Sequence, residues 1–352
     1  MSKKITKKEI IKKEKFKFID LFAGIGGFHI AMDKAGGECV FASEWDKFSR
    51  ITYEENFKTS NPKLFESGNF NWDIQKADPK KIPDFDVLCA GFPCQPFSHA
   101  GLKKGFEDTR GTLFFNVAEI IDSKRKKGNP PKVILLENVK GLKGHDKGRT
   151  LTKILEVLDI LGYDVKTKVL NSKYFGVPQN RERLFIVGWL KNTKESKNFK
   201  FPLGLDKNNK PIFDEKIIAL KSKVVKVGDV LLPKVDEKYT ISDRLYSGHK
   251  RRLMEHREKG NGFGFSMFTS ESPYTSTISA RYYKDGSEIL INQGHSNPRK
   301  LSPKEAGLLQ GYPIDKGFSI VVSDVQAYKQ FGNSVSVPVV KILAKEIHKQ
   351  LL

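Results

Sequence analysis

Cys94 stands out as a candidate nucleophile. An apolar run from Asp86 to Ala90 reads as a buried strand, Gly91 ends it, and Pro93 restrains the backbone just before the thiol. Ligands bind at the carboxyl ends of strands in an α/β sheet, so a cysteine there is placed for chemistry. A second strand pattern, Lys132 to Glu137, ends in a carboxylate. Glu137 would stand at the same sheet edge, where desolvation raises a carboxyl pKa and lets the group donate a proton. Arg181 and Arg183 sit one residue apart at the entry to the strand Leu184 to Val187. Strand alternation points both to one face, able to grip a phosphate or a base oxygen. The blander alternatives are a core thiol, a glutamate that caps the next turn, and arginines paired with Glu182. His99 invites a Cys–His dyad, although a loop histidine is ordinarily solvated.

The elements that must position these groups begin at Phe18. Phe18 to Phe22 is a strand pattern, Ala23 to Gly27 a glycine-rich turn, and Phe28 to Ala35 a helix. Such a turn lets backbone approach a ligand closely at a helix N-terminus. The spacing is not that of the dinucleotide fingerprint GxGxxG. Asp20, ahead of the glycines, suits a cationic ligand group better than a pyrophosphate. A second strand, from Cys39, ends at Glu44. A carboxylate there can accept both ribose hydroxyls, Trp45 can cover an adenine face, and Asp73-Ile74 could reach the adenine edge. Together these residues suggest S-adenosylmethionine, with its ammonium and sulfonium charges, rather than NAD.

The 352 residues carry 62 Lys and Arg against 41 Asp and Glu, a formal charge of +21. That balance favours a polyanionic partner, nucleic acid first; a lysine-rich surface is the plainer alternative. The three cysteines (Cys39, Cys89, Cys94) have neither zinc spacing nor the number of a disulfide framework. No metal is expected. Residues 1–17 are a basic tail without the apolar core of a signal peptide, and no apolar run approaches a membrane span. The expectation is a soluble cytoplasmic protein.

After Cys94 a polar stretch carries Gln95, Ser98, Lys103, Lys104 and Arg110, with Gly101, Gly105 and Gly111 as hinges. It reads as a mobile loop that could close over a phosphate backbone. Amphipathic helices are expected over Leu113–Asp122 and Thr150–Leu161, and a last helix from Pro338. From Lys191 the patterning weakens, and the stretch to Val325 reads as an irregular insertion. Its segment Thr277 to Gly286, basic and aromatic around glycine, suits insertion into a DNA groove.

The order of these motifs resembles the DNA (cytosine-5)-methyltransferases of bacterial restriction–modification systems. The residues that carry it are Phe18-Ile-Asp-Leu-Phe-Ala-Gly-Ile-Gly-Gly-Phe28, Gly91-Phe-Pro-Cys-Gln95, Arg110-Gly-Thr-Leu-Phe-Phe115, Glu137-Asn-Val139 and Gln179-Asn-Arg-Glu-Arg183. They continue in Arg299 to Glu305, Gln310-Gly-Tyr-Pro313 and Gln330-Phe-Gly-Asn-Ser-Val335. The likeness runs from Phe18 to the C-terminus. It implies a doubly wound, mostly parallel α/β catalytic domain of the Rossmann-like S-adenosylmethionine-dependent kind, built from 18–190 plus 326–352. A smaller, irregular β-rich target-recognition domain would span 191–325.

The resemblance also implies roles. Cys94 would add to C6 of a flipped cytosine, Glu137 would hold and protonate N3, Arg183 would contact O2, and Arg181 would steady the site. The cofactor shell would be Phe22, Gly24, Ile25, Gly27, Glu44, Trp45, Asp73, Ile74, Pro93, Leu113, Asn333 and Ser334, with S-adenosyl-L-homocysteine as product. DNA contacts would come from Gln95, Ser98, Lys103, Arg110, Thr277, Arg281, Tyr282 and Lys284. The insertion resembles those of enzymes that methylate the inner cytosine of short palindromes beginning CC, such as CCGG, CCNGG and CCWGG. The implied setting is a monomer on double-stranded DNA near the bacterial nucleoid, protecting it from a cognate endonuclease. A tRNA cytosine-5 methyltransferase of the same fold and an inactive DNA-binding relative are the rivals.

Overall fold

A computed structural model describes residues 15–93, 113–193, 198–262, 264–294 and 296–351. Seven strands form one sheet: β1 (Phe16–Leu21), β2 (Gly37–Ser43), β3 (Phe70–Asn71), β4 (Val87–Gly91), β5 (Val133–Val139), β6 (Tyr163–Asn171) and β7 (Glu182–Leu190). Their order across the sheet is β3-β2-β1-β4-β5-β7-β6. β1 to β5 pair in parallel, and β7 runs antiparallel to both its neighbours. This is the expected mostly parallel, doubly wound sheet, and its strand order reverses between β1 and β4. β1 begins at Phe16, inside the stretch read as tail.

β4 and the Val133–Leu136 run of β5 are apolar throughout because both faces are covered. Alternation sends Phe18, Val87, Cys89, Val133 and Leu135 to one core. There they meet α1 (Gly27–Lys34) and the C-terminal helix, Val337–Leu351. Ile19, Leu88, Ala90, Ile134 and Leu136 enter the opposite core, against the helices Leu113–Lys126 (α4) and Arg149–Ile160 (α5). Two further helices, α2 (Lys47–Phe57) and α3 (Pro62–Glu66), follow β2.

A third core lies largely within the stretch 191–325 and reaches the C-terminal part through Ala327 and Phe331. Val227, Ile278, Tyr282 and Ile289 pack with Ala306, Leu309, Tyr312, Ala327 and Phe331. The insertion also reaches the first core, through Phe199, Leu203 and Leu205. Its regular elements are mostly short: the pair β8 (Gly204–Leu205) and β9 (Pro211–Ile212), a one-turn helix at Ile218–Lys221, the long helix α6 (Asp243–Glu258), and the pair β10 (Met267–Phe268) and β11 (Leu290–Ile291). The sequence suggests a strand beginning at Tyr239; the chain instead makes a turn over Glu237–Tyr239 before α6. Beyond lie α7 (Pro303–Leu309), α8 (Asp324–Asn333) and the C-terminal helix α9. Ser302 and Glu305 close a reciprocal cap on α7, while a buried bidentate pair joins Glu305 to Arg299 at 2.9 Å.

Candidate active site

A cleft of about 920 Å³ opens at the carboxyl edge of β1, β2, β4 and β5, at the strand-order reversal. Its floor is the turn after β1. Phe22 adopts a left-handed backbone (φ 57°), a conformation costing a non-glycine residue on the order of 1–3 kcal/mol. Gly24 is also left-handed (φ 56°), and a Cβ built on it would meet no atom within 4 Å, so bare backbone faces open space. Gly27 is different: a Cβ there would stand 2.5 Å from Val335 Cγ2 and 2.8 Å from the Tyr312 hydroxyl.

Glu44 braces the turn from β2. One carboxylate oxygen accepts from the Gly24 N–H at 2.7 Å, the other from the Asp46 N–H at 2.7 Å. Burial pushes its carboxyl up, and those two amides pull it back. Trp45 stands at the rim, 76% exposed. Asp73 caps the turn Ile74–Lys76 by accepting from the Gln75 N–H at 3.1 Å. Pro93 and Leu113 line the cleft from either side of the residues outside the described set, and Asn333 and Ser334 line it from the end of α8. All twelve residues expected around a cofactor, Ile25 among them, thus line one cleft. Asp20 does not. It is fully buried behind the turn, facing the His29 backbone N–H. Burial holds that carboxyl well above the usual range.

Glu137 and Arg183 form the cleft's ionic pair, Arg183 Nε lying 3.2 Å from Glu137 Oε1. Register places Glu137 beside Gly91. A side chain at Gly91 would begin 3.7 Å from Glu137 Oε2. Burial raises the Glu137 carboxyl, opposed by the charges of Arg183 and Arg181. Asn138 ties the neighbouring strand end down, its Nδ2 donating to the Phe92 carbonyl at 2.8 Å. Glu182 takes no part, pairing with Lys140 at 2.8 Å.

Arg181 also borders the cleft, yet it is 1% exposed and spent on backbone. Nη1 donates to Ile278 O at 3.0 Å, and Nη2 donates to Gly332 O at 3.0 Å and Ser334 O at 2.7 Å. Burial and the like charge of Arg183 bring its guanidinium down to about 9. Its geometry is that of a structural anchor.

Cys94, Gln95, Ser98, Lys103 and Arg110 lie outside the described residues. Of the remaining expected DNA contacts, Arg281 and Lys284 are exposed. Thr277 is half-buried and donates to Asn180 O at 2.7 Å. Tyr282 corrects the expectation. It is fully buried, its hydroxyl donating to Ile289 O at 2.7 Å and accepting from Leu301 N–H at 2.8 Å. A ring so placed cannot enter a groove. Alternation along an irregular segment hid this, because no periodicity marks which side faces the core.

Sequence reasoning assigned no role to Asn138, Gln179 or Gln310. Gln179 is buried, its Nε2 donating to Leu309 O at 3.1 Å and its Oε1 accepting from Ile278 N–H at 3.1 Å. Gln310 Nε2 in turn donates to Phe331 O at 2.8 Å. All three lie inside the recognised motifs, which was the available signal. Among the described residues no group of three or more His, Cys, Asp or Glu side chains is placed to hold a metal ion, and no helix is long and apolar enough to cross a membrane.

A strand order reversing at a glycine turn, with an acid at the end of β2, defines the fold of an S-adenosylmethionine-dependent methyltransferase. Solved structures share it. The Entamoeba histolytica methyltransferase EhMeth aligns with a TM-score of 0.71 at 18% identity, covering 97% of this chain and 100% of that one. The S. pombe Dnmt2 methyltransferase aligns at 0.67 and 20%, covering 96% and 98%. Residues 16–349 match the C-5 cytosine-specific DNA methylases, and the chain belongs to that family. It is 51% identical to the type II methyltransferase M.NlaX of Neisseria lactamica over 96% of this chain and 97% of that protein. Identity to M.SsoII of Shigella sonnei is 51% (95% and 80%), and to M.HpaII of Haemophilus parainfluenzae 43% (96% and 91%).

The cleft fits S-adenosylmethionine. The open space over Gly24 leaves room for close approach, and Gln330 Nε2 is buried in the cleft wall with no hydrogen-bond partner among the described residues. Such a group awaits a polar ligand or ordered water.

Proposed function

We propose that this DNA (cytosine-5)-methyltransferase works through a covalent adduct between Cys94 and C6 of a flipped cytosine. The observation that carries the proposal is the buried Glu137–Arg183 pair beside Gly91, the glycine that leads into Phe92, Pro93 and Cys94. Burial raises this carboxyl, which favours its taking up a proton and passing it to N3, while Arg183 meets O2. The Cys94 thiolate forms the S–C6 bond while N3 takes the proton from Glu137, which makes C5 enamine-like. S-adenosylmethionine, held by Gly24, Glu44, Trp45, Asp73 and Asn333, supplies the electrophilic methyl group that C5 accepts and leaves as S-adenosylhomocysteine. C5 then gives up its proton to solvent, the S–C6 bond breaks to restore the thiolate, and N3 returns its proton to Glu137. A base inside a duplex cannot reach such a pocket, so the cytosine must leave the stack.

The catalytic part comprises 18–190 and 326–352, and the insertion 191–325 presents the recognition surface. Thr277, Arg281 and Lys284 supply DNA contacts there, with Gln95, Ser98, Lys103 and Arg110 from the stretch after the nucleophile. The site is a short palindrome beginning CC, methylated at the inner cytosine, and methylation protects host DNA from a partner endonuclease. The named relatives M.NlaX, M.SsoII and M.HpaII support a type II assignment. One active site per flipped base suits a monomer, acting without a metal in the cytoplasm at the nucleoid.

Bisulfite sequencing of plasmid DNA incubated with the protein and S-adenosylmethionine tests this. One protected CC-type motif is expected, and Cys94→Ser should abolish it. Full activity in that variant would overturn the covalent mechanism; methyl label entering tRNA and not DNA would move the substrate to RNA.

A further inference from the structure

Three contacts tie the recognition segment to the wall of the cofactor cleft. The buried Arg181 guanidinium binds Ile278 O on one side and Gly332 O and Ser334 O on the other. Gly332 touches the same segment directly: a Cβ there would fall 2.3 Å from Ser279 C and 2.4 Å from Ala280 N. These are backbone atoms, so no side-chain rotation relieves the clash. Lys329, which lines the cleft, holds its ammonium 5.2 Å from the Tyr283 ring. Between the Arg181 anchor and Tyr283 lies Arg281. Its side chain is exposed, and its backbone N–H donates to Ser279 Oγ at 3.1 Å.

We propose that Arg181 and Gly332 form a clamp that couples site recognition to cofactor binding. The backbone carrying Arg281 and the wall carrying Asn333 and Ser334 move as one body. Arg181 is therefore a positioning residue. Sliding Ile278 against Gly332 would leave a buried carbonyl or a guanidinium N–H without a partner, an arrangement that desolvated groups resist. A duplex that engages Arg281 steadies Ser279 and Ala280, and through them the wall at Gly332. Linkage then requires that the cognate duplex and the cofactor raise each other's affinity by one common factor. A duplex without the site, which makes only phosphate contacts, leaves that factor near unity.

This rests on the proposed function, and the test separates the two. S-adenosylhomocysteine is titrated into the full-length protein alone, with a duplex carrying the motif found by bisulfite sequencing, and with a scrambled duplex. In the unaltered protein the cognate duplex should tighten S-adenosylhomocysteine by about 5–150-fold, the usual range of coupling between sites, and the scrambled duplex should not. In Arg181→Lys and Gly332→Ala the enhancement should fall below about 2-fold, beyond any change in affinity without DNA. Tyr283→Leu lies at the margin of the third core and leaves the Arg181 bonds in place. It should cut the enhancement by about 2–5-fold, the worth of one exposed cation–π contact, and decides the matter should the buried variants fail to fold. Intact enhancement in folded variants, with only thermal stability lowered, would mean a merely structural role and overturn the clamp. Equal enhancement by both duplexes would do the same. Failure of the unaltered protein to methylate any DNA would instead remove the proposed function, and the clamp with it.

Discussion

The proposed catalytic lobe and the proposed recognition insertion solve the same problem, holding a few side chains steady, by different means. In the catalytic lobe Gly24, Glu44, Gly91 and Glu137 stand at the ends of strands whose other residues are buried on both faces, so the sheet itself sets their spacing. In the insertion, strands of two residues position nothing by themselves. There the segment 275–283 is pinned by groups from elsewhere: the Gln179 and Arg181 side chains on Ile278, the Asn180 carbonyl on Thr277, and the Gly332 backbone on Ser279. A ladder tolerates change at its surface. A set of single anchors fastens the segment to the cleft without one.

Substitutions sharpen this contrast. The largest effect is expected at Glu137. Glu137→Gln should cost roughly 10²–10⁴-fold in kcat, measured by methyl incorporation at saturating DNA. Because burial raises this carboxyl, it donates its proton only below that raised pKa. The activity of the native protein should therefore fall as pH rises through it, and the glutamine variant should lose that alkaline limb. Next comes Gly27→Ala. Its Cβ would press on Val335 and Tyr312 in the cleft wall, an overpacking of about 1–3 kcal/mol. Calorimetric titration should find S-adenosylhomocysteine bound about 5–100-fold more weakly. Unchanged affinity there would break the claim that the strand-end turn is the rigid half of the comparison.

Neighbours in the insertion should respond in opposite ways. Tyr282→Phe removes two buried hydrogen bonds and should lower stability by about 1–3 kcal/mol with site choice intact. Arg281→Ala should leave stability and cofactor affinity alone and relax discrimination at one base pair by about 1–3 kcal/mol, read from the spread of methylated motifs. Retained site choice in that variant would remove Arg281 from the recognition surface.

A last effect concerns stability against pH. His29 is buried under the glycine turn, stacked on Phe57 at 4.0 Å and bonded to the Tyr53 hydroxyl at 2.7 Å, and burial lowers its pKa to about 3. The unfolded chain takes up this proton first as pH falls, so the contribution is whole above about 6.5 and is lost progressively toward pH 3. His29→Phe should flatten the melting temperature across that interval relative to the native protein.

Much of the catalytic lobe was legible because its signals are local. Apolar runs punctuated by glycine and proline mark strand ends, and ligand chemistry in an α/β sheet gathers at those ends. Asp20 misled because sequence adjacency to the glycines says nothing of side: it shares the face of Phe18 and points beneath α1, away from the cleft. Tyr282 misled for a related reason. In a segment without period, an aromatic residue between Arg281 and Tyr283 is equally readable as groove contact or core, and only packing against Tyr328 and Leu301 decides.

By itself the sequence determined the parallel α/β architecture, the cofactor turn, the strand-end Glu137 and the family, since each rests on residue type and short-range spacing. The tertiary structure alone decided which charges meet. It brought Arg183 to Glu137 and turned Arg181 away to three carbonyls, although only Glu182 separates the two arginines in sequence. The reason is that a buried guanidinium goes where unpaired acceptors lie. Those acceptors, at Ile278, Gly332 and Ser334, are brought to Arg181 only when the chain's distant parts pack together.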